Sequence, residues 1–132
     1  MSQENVEIIR RDYEAFDRGD FAAFLDDVDP EIVAWAHPRG DAGRYEGKEG
    51  LIRFITDWTE AFDDFRHVPE EFRDAGERVL VRVRHEGRGK GSGIPVEARY
   101  WMVHHMREGK TYRVDLYDDE AEALATAGLE QP

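Results

Sequence analysis

Three histidines, His37, His85 and His104, each end or interrupt an apolar stripe on a different predicted strand. An imidazole with an ordinary pKa near ~6.5 takes up and releases protons at neutral pH. His37, directly before Pro38 at the close of the first strand, is therefore the leading general-base candidate. The plainer alternative is that it lines a strand end and bonds to a carbonyl. His85, His104 or Tyr100 would then polarise a substrate oxygen. Three converging imidazoles could also ligate zinc, with water in the fourth position. No pair among them has the i, i+2 or i, i+4 spacing of a metal motif, and neither a metal nor another cofactor is expected.

Around these groups, Trp35, Phe54, Trp58, Tyr100 and Met102 supply an apolar, aromatic wall, with Tyr13 facing them from the first helix. Such a wall can be core, or it can line a pocket on the order of a few hundred cubic ångström for an uncharged or planar ligand. Arg44 and Tyr45 follow the first strand, near the expected mouth. Asp115 alternates with Val114 and Leu116 and shares a face with Arg113 and Tyr117, where Arg99 and Arg82 of neighbouring strands would pair with it. Trp101 and Val103 stand on the otherwise charged side of their strand, the composition of an interface centre. An exposed tryptophan there suggests a partner. The run Gly87 to Gly93 is glycine-rich but lacks the Gly-Lys-Ser/Thr order of a phosphate loop and joins two strands, so it reads as a hairpin connection.

The elements that must position these side chains are legible from periodicity. Val6, Ile9, Tyr13 and Phe16 make one stripe of a helix closing at Gly19. Asp20 caps a second helix that buries Phe21, Phe24, Leu25 and Val28 and ends at Asp29-Pro30. Glu31 to His37 alternates as a strand, with Val33, Trp35 and His37 on one face and Ile32, Ala34 and Ala36 on the other. Residues 39–46 read as a loop, and Lys48 to Phe62 returns to helical spacing. From Phe65 to Asp118 four strands alternate with turns at 74–76, 87–93 and 107–110. Val79, Val81, Val83 and His85 form one inner stripe, and Ile94, Val96, Ala98, Tyr100, Met102, His104 and Met106 another. Asp118 or Asp119 caps a short Ala-rich helix ended by Gly128, followed by a polar tail of about four residues.

Composition narrows the partners. The 132 residues fit one domain, 1–132, and 40% hydrophobic content excludes wholesale disorder. Thirty acidic against 18 basic residues give a formal net charge of −12, which repels phosphate backbones and anionic lipid, so neither nucleic acid nor membrane is an expected partner. The absence of cysteine excludes a disulfide framework and thiolate chemistry. Residues 1–5 lack the charge and apolar run of a secretory signal, and no stretch approaches the ~18 apolar residues of a membrane span; a cytoplasmic location is the expectation.

Helix, helix, strand, helix and four long antiparallel strands make an α+β order. Within it, the stretch from Ile9 to Phe16 running into Arg18-Gly19-Asp20, the segment Tyr45 to Gly50, the turn Arg107-Glu108-Gly109-Lys110 and the ending Glu122 to Leu129 resemble the nuclear-transport-factor-2-like superfamily, in its SnoaL-like, polyketide cyclase-like branch. The resemblance covers residues 5–129. It implies a curved mixed or antiparallel sheet forming a cone, three N-terminal helices over its concave face and a short C-terminal helix. It also implies a homodimer through the outer sheet face. The superfamily's steroid isomerases keep a helix tyrosine and two strand aspartates; at the matching places this chain has Asp12 with Tyr13 one step off, His37, and Met102. Two functions remain: cofactor-free proton transfer on a small hydrophobic carbonyl compound, resembling the cyclases and isomerases, or a non-catalytic ligand-binding or scaffold role.

Overall fold

The apolar stripe that predicts the first helix is the face by which it docks. In the computed structural model, which describes residues 2–129, α1 (Ser2–Asp17) buries Val6, Ile9, Asp12 and Tyr13. Gly19, at φ 78°, turns the chain out of it, a torsion costly for residues with a Cβ. Asp20 caps α2 (Phe21–Asp26) by accepting from Ala23 N at 3.2 Å. This helix stops sooner than its proline suggests, because Val28 already belongs to β1 (Val28–Ala36). Pro30 is tolerated within β1 because ladder pairing is interrupted between Val28 and Val33.

After β1 a 3-10 segment, His37–Gly43, leads into β2 (Arg44–Glu46), a short strand where the sequence reads as loop. Helix α3 (Gly47–Thr59) follows and presents Leu51, Phe54 and Trp58 to the interior. Phe62, placed in this helix by its spacing, instead opens β3 (Phe62–Ala75). Strands β4 (Arg78–Gly89), β5 (Pro95–Arg107) and β6 (Lys110–Tyr117) complete one six-stranded sheet of order β2-β1-β6-β5-β4-β3. Every pairing is antiparallel except β1 with β6. The sheet is curved and unclosed, with the N-terminal helices on its inner side, as the predicted α+β architecture requires. The tail expected after Gly128 falls, for residues 130–132, outside the described residues.

The main core lies between the helices and the inner face, where Val79, Val81 and Val83 of β4 have no exposed surface. Two stripes differ from expectation. Ile94 is 63% and Val96 38% exposed, because the β4–β5 hairpin runs past the helices that would cover it. In β1 the inner residues are Ile32, Ala34 and Ala36, so Val33, Trp35 and His37 take the outer face. On that outer face α4 (Glu120–Ala127), capped by Asp119, packs Ala123, Leu124 and Ala127 on Leu80 and Val103. Val103 consequently has no exposed surface and Trp101 is half-buried, so the chain's own helix occupies part of the face assigned to a dimer contact.

The turn after β1 is seated by close approach: a Cβ at Gly43 would stand 2.1 Å from the Ala36 carbonyl oxygen, a backbone atom that cannot swing away. At Gly89 the nearest atom, at 2.6 Å, is the Ser92 hydroxyl oxygen in a hairpin turn. Gly43→Ala should therefore cost about 1–3 kcal/mol in urea unfolding, and Gly89→Ala less than about 0.5 kcal/mol. Equal losses would contradict this seating of the turn.

Candidate functional site

The interior does not fill completely. A cavity of about 90 Å³ lies between α1, α2, α3 and the inner sheet face, lined by aliphatic and aromatic groups including Ile9, Phe24, Leu51, Phe54, Trp58 and Leu116. It is smaller than the few hundred cubic ångström expected. Into this apolar lining the fold places Asp12 and Tyr13 from α1, His67 from β3, His85 from β4, and Met102 and His104 from β5.

The polar atoms there bond mainly to one another. Trp58 Nε1 donates to His85 Nδ1 at 2.9 Å, and His85 Nε2 lies 2.7 Å from His67 Nδ1. Tyr13 Oη sits 2.8 Å from His104 Nε2 and 3.5 Å from Met102 Sδ. Tyr100 leaves the cavity wall but packs its ring 5.0 Å from that of His85 and 5.2 Å from that of Trp58.

Burial without an ionic partner controls these groups. It pushes the His85 imidazole down to about 4. It lowers His104 to about 3, aided by the charge of His105. It carries His67 well below its usual value, reinforced by His85 and His104. All three are neutral at pH 7. Burial also raises the Asp12 carboxyl to about 9, reinforced by its hydrogen bond to Asp27, so Asp12 is a neutral acid beside the cavity. Asp27 stays ionised; hydrogen bonds from Asp12 and Arg11 outweigh its own partial burial.

His37 is not among these groups, which corrects the expectation that three imidazoles share the hollow. It stands on the outer face, stacked between Trp35, 4.7 Å away, and Tyr117, 4.3 Å away, with its Nε2–H donating to Asp115 at 2.7 Å. Trp35 likewise leaves the cavity wall, bonding through Nε1 to the Gly40 carbonyl. Asp115, wholly buried, also accepts from His105 at 2.8 Å and from Arg113 through Nε and Nη2. Burial opposes its ionisation, but the bonds from His105, Arg113 and His37 win and hold it well below the usual carboxylate range. Its arginine partner is thus Arg113 rather than the expected Arg82 and Arg99, which instead meet Glu70, because Asp115 lies opposite Val103 in the β5–β6 register. Arg44 and Tyr45 are also off the cavity: Arg44 stacks over Trp35, and Tyr45 donates to Asp57 at 2.6 Å.

His67 was not singled out from sequence. Its strand carries bulges between Asp63 and Arg66 and between Pro69 and Glu71, which break the alternation that exposes facing. The available signal was its place directly opposite His85 in the β3–β4 ladder. Among the described residues no group of three or more His, Cys, Asp or Glu is placed to hold a metal ion, and no helix is long and apolar enough to cross a membrane.

An α+β cone with helices roofing an apolar hollow is the architecture of NTF2-like proteins, and solved relatives of that class superpose on most of the chain. The chain belongs to the SnoaL-like domain family, whose model matches residues 9–114. An NTF2-like protein from Burkholderia xenovorans is 28% identical, with a TM-score of 0.73, covering 96% of this chain and 97% of its own. An NTF2-like protein of unknown function from Burkholderia pseudomallei is 25% identical, with a TM-score of 0.75, covering 92% and 95%. TerC, crystallised with polyporic acid, is 22% identical, with a TM-score of 0.74, covering 95% and 98%. None of the curated proteins matches the chain in sequence.

These protonation states make stability peak near pH 6.5. Above it, the unfolded chain has ionised Asp12 while the folded one retains its proton to about 9, so stability falls with rising pH. Below it, unfolded histidines gain protons that His67, His85 and His104 refuse, so stability falls with falling pH and outweighs the opposite slope of Asp12. Urea titrations should show losses of about 1 kcal/mol at pH 8, where the last of the histidine gain offsets part of the Asp12 loss, and about 2–4 kcal/mol at pH 5. Asp12→Asn should flatten the alkaline limb and His85→Gln the acid limb; unchanged limbs would refute the assignment.

Proposed function

We propose that the protein binds a small, mostly apolar carbonyl compound in the cavity and catalyses proton transfer on it without a cofactor. The observation that carries this reading is the set of neutral imidazoles lining an apolar hollow. An uncharged imidazole accepts a proton, and a low-dielectric site strengthens every hydrogen bond made to developing charge.

The Tyr13–His104 pair takes the part of the base. The Tyr13 hydroxyl has two acceptors within reach, His104 Nε2 and Met102 Sδ, and its proton can occupy either bond. With the hydroxyl turned to Met102, His104 Nε2–H donates to Tyr13 Oη and the other ring nitrogen becomes a basic lone pair. His67, two strands away and held by His85, can polarise the carbonyl oxygen, while Asp12 stays protonated at neutral pH with its proton hydrogen-bonded to Asp27. His37 has no part, being bound to Asp115 across the sheet. The co-crystallisation of TerC, which shares this fold, with polyporic acid supports a small-molecule role.

A second reading is non-catalytic binding of the same kind of ligand. It is favoured by one observation: among the described residues the one carboxylic acid lining the cavity is protonated at neutral pH, so no ionised carboxylate is at hand to serve as base.

Cyclopentanone separates the two. It should change Trp58 fluorescence saturably, and exchange of its α-protons in D₂O should run faster with the protein than in buffer. His104→Phe should keep the binding and lose about 10²-fold of the acceleration. Saturable binding with no acceleration would leave the binding reading and overturn catalysis.

A further inference from the structure

The Trp58–His85–His67 chain has a direction. An indole N–H is a donor and never an acceptor, so His85 Nδ1, 2.9 Å from Trp58 Nε1, must carry the lone pair. A neutral His85 then has its proton on Nε2, and that proton points to His67 Nδ1 at 2.7 Å. His67 in turn accepts at Nδ1, which leaves its own proton on Nε2. That nitrogen has no hydrogen-bond partner among the described residues, while the ring lines the cavity between Tyr13 and Phe16.

We infer that His67 Nε2–H is a fixed hydrogen-bond donor for the ligand, so that the cavity selects small apolar molecules bearing one neutral acceptor oxygen, with Trp58 and His85 as positioning residues that set its polarity. The inference rests on the small-molecule reading of the cavity and adds the functional group the ligand must carry. Its contrast with Tyr13–His104 is built into donor chemistry: a hydroxyl can reverse its bond, whereas an indole cannot. Reversing His67 would strand two donors face to face at His85 Nδ1 or at the His85–His67 contact, in a site where burial makes an unmade bond costly.

The selected class follows from elementary accounting. A ketone, aldehyde or ester oxygen satisfies the free N–H. An alkene of the same shape leaves it unpaired. A carboxylate would bring its charge into a hollow that already keeps its own acid protonated and its imidazoles neutral.

The test compares cyclopentanone with methylenecyclopentane, alike in shape but with the oxygen replaced by CH₂, on the intact protein. The ketone should bind at least threefold tighter, a ratio expected of one neutral hydrogen bond. His67→Phe should abolish the preference while retaining the alkene, and Trp58→Phe should weaken the preference by freeing the His85 tautomer. In the unmodified protein, ¹⁵N-detected NMR should find the His67 proton on Nε2. Equal binding of the pair, or a His67 proton on Nδ1, would overturn the inference and leave the small-molecule reading standing. Binding of neither compound would overturn both.

Discussion

The hollow inside the cone strongly disfavours charge, and most of the site's chemistry is a consequence of that constraint. Aliphatic and aromatic side chains from the helices and inner sheet face wall it, and the described residues that line it include no lysine or arginine to offset an anion. The groups that ordinarily titrate near or below neutrality respond by staying uncharged: His67, His85 and His104 give up protons, and Asp12 keeps one. Neutral groups then satisfy one another, which is why indole, imidazole and phenol form two short chains around the same space.

The opposite arrangement prevails one strand thickness away. His104 and His105 are adjacent in β5, and pleating sends them to opposite faces. His104 meets a phenol in the apolar hollow, and His105 meets the ionised Asp115 beside Arg113 and His37. The outer cluster is a tightly bonded ionic knot, with Asp115 fully buried and His37 clamped between two parallel rings. It ties β1, β5 and β6 together near the turn after β1. The same imidazole chemistry thus serves cohesion outside and leaves free ring nitrogens inside.

Legibility in the sequence followed how strongly each strand's two faces differ. In β4 the valines alternate with arginines, so the inward direction of His85 was plain, and Met102, His104 and Met106 fixed the sense of β5. In β1 both stripes are apolar, one carrying Trp35 and the other two alanines. The small residues proved to be inside, because α3 packs Leu51 and Phe54 against the strand where bulk would intrude. That choice moved His37 and Trp35 out of the cavity. In β3 two bulges, one at Pro69 on an edge strand, scramble the alternation and hid His67. Asp12 was visible as a position on α1, but its neutrality depends on Asp27 and on burial, which only the packed chain shows.

Ring ¹⁵N chemical shifts of the five histidines, followed from pH 8 to pH 4, test the central claim most directly, since they report charge and tautomer together at each site. The account predicts that His67, His85 and His104 remain neutral down to about pH 5. An ordinary titration near ~6.5 at any of those three would mean that the hollow admits charge, and the proton chemistry proposed for it would be contradicted.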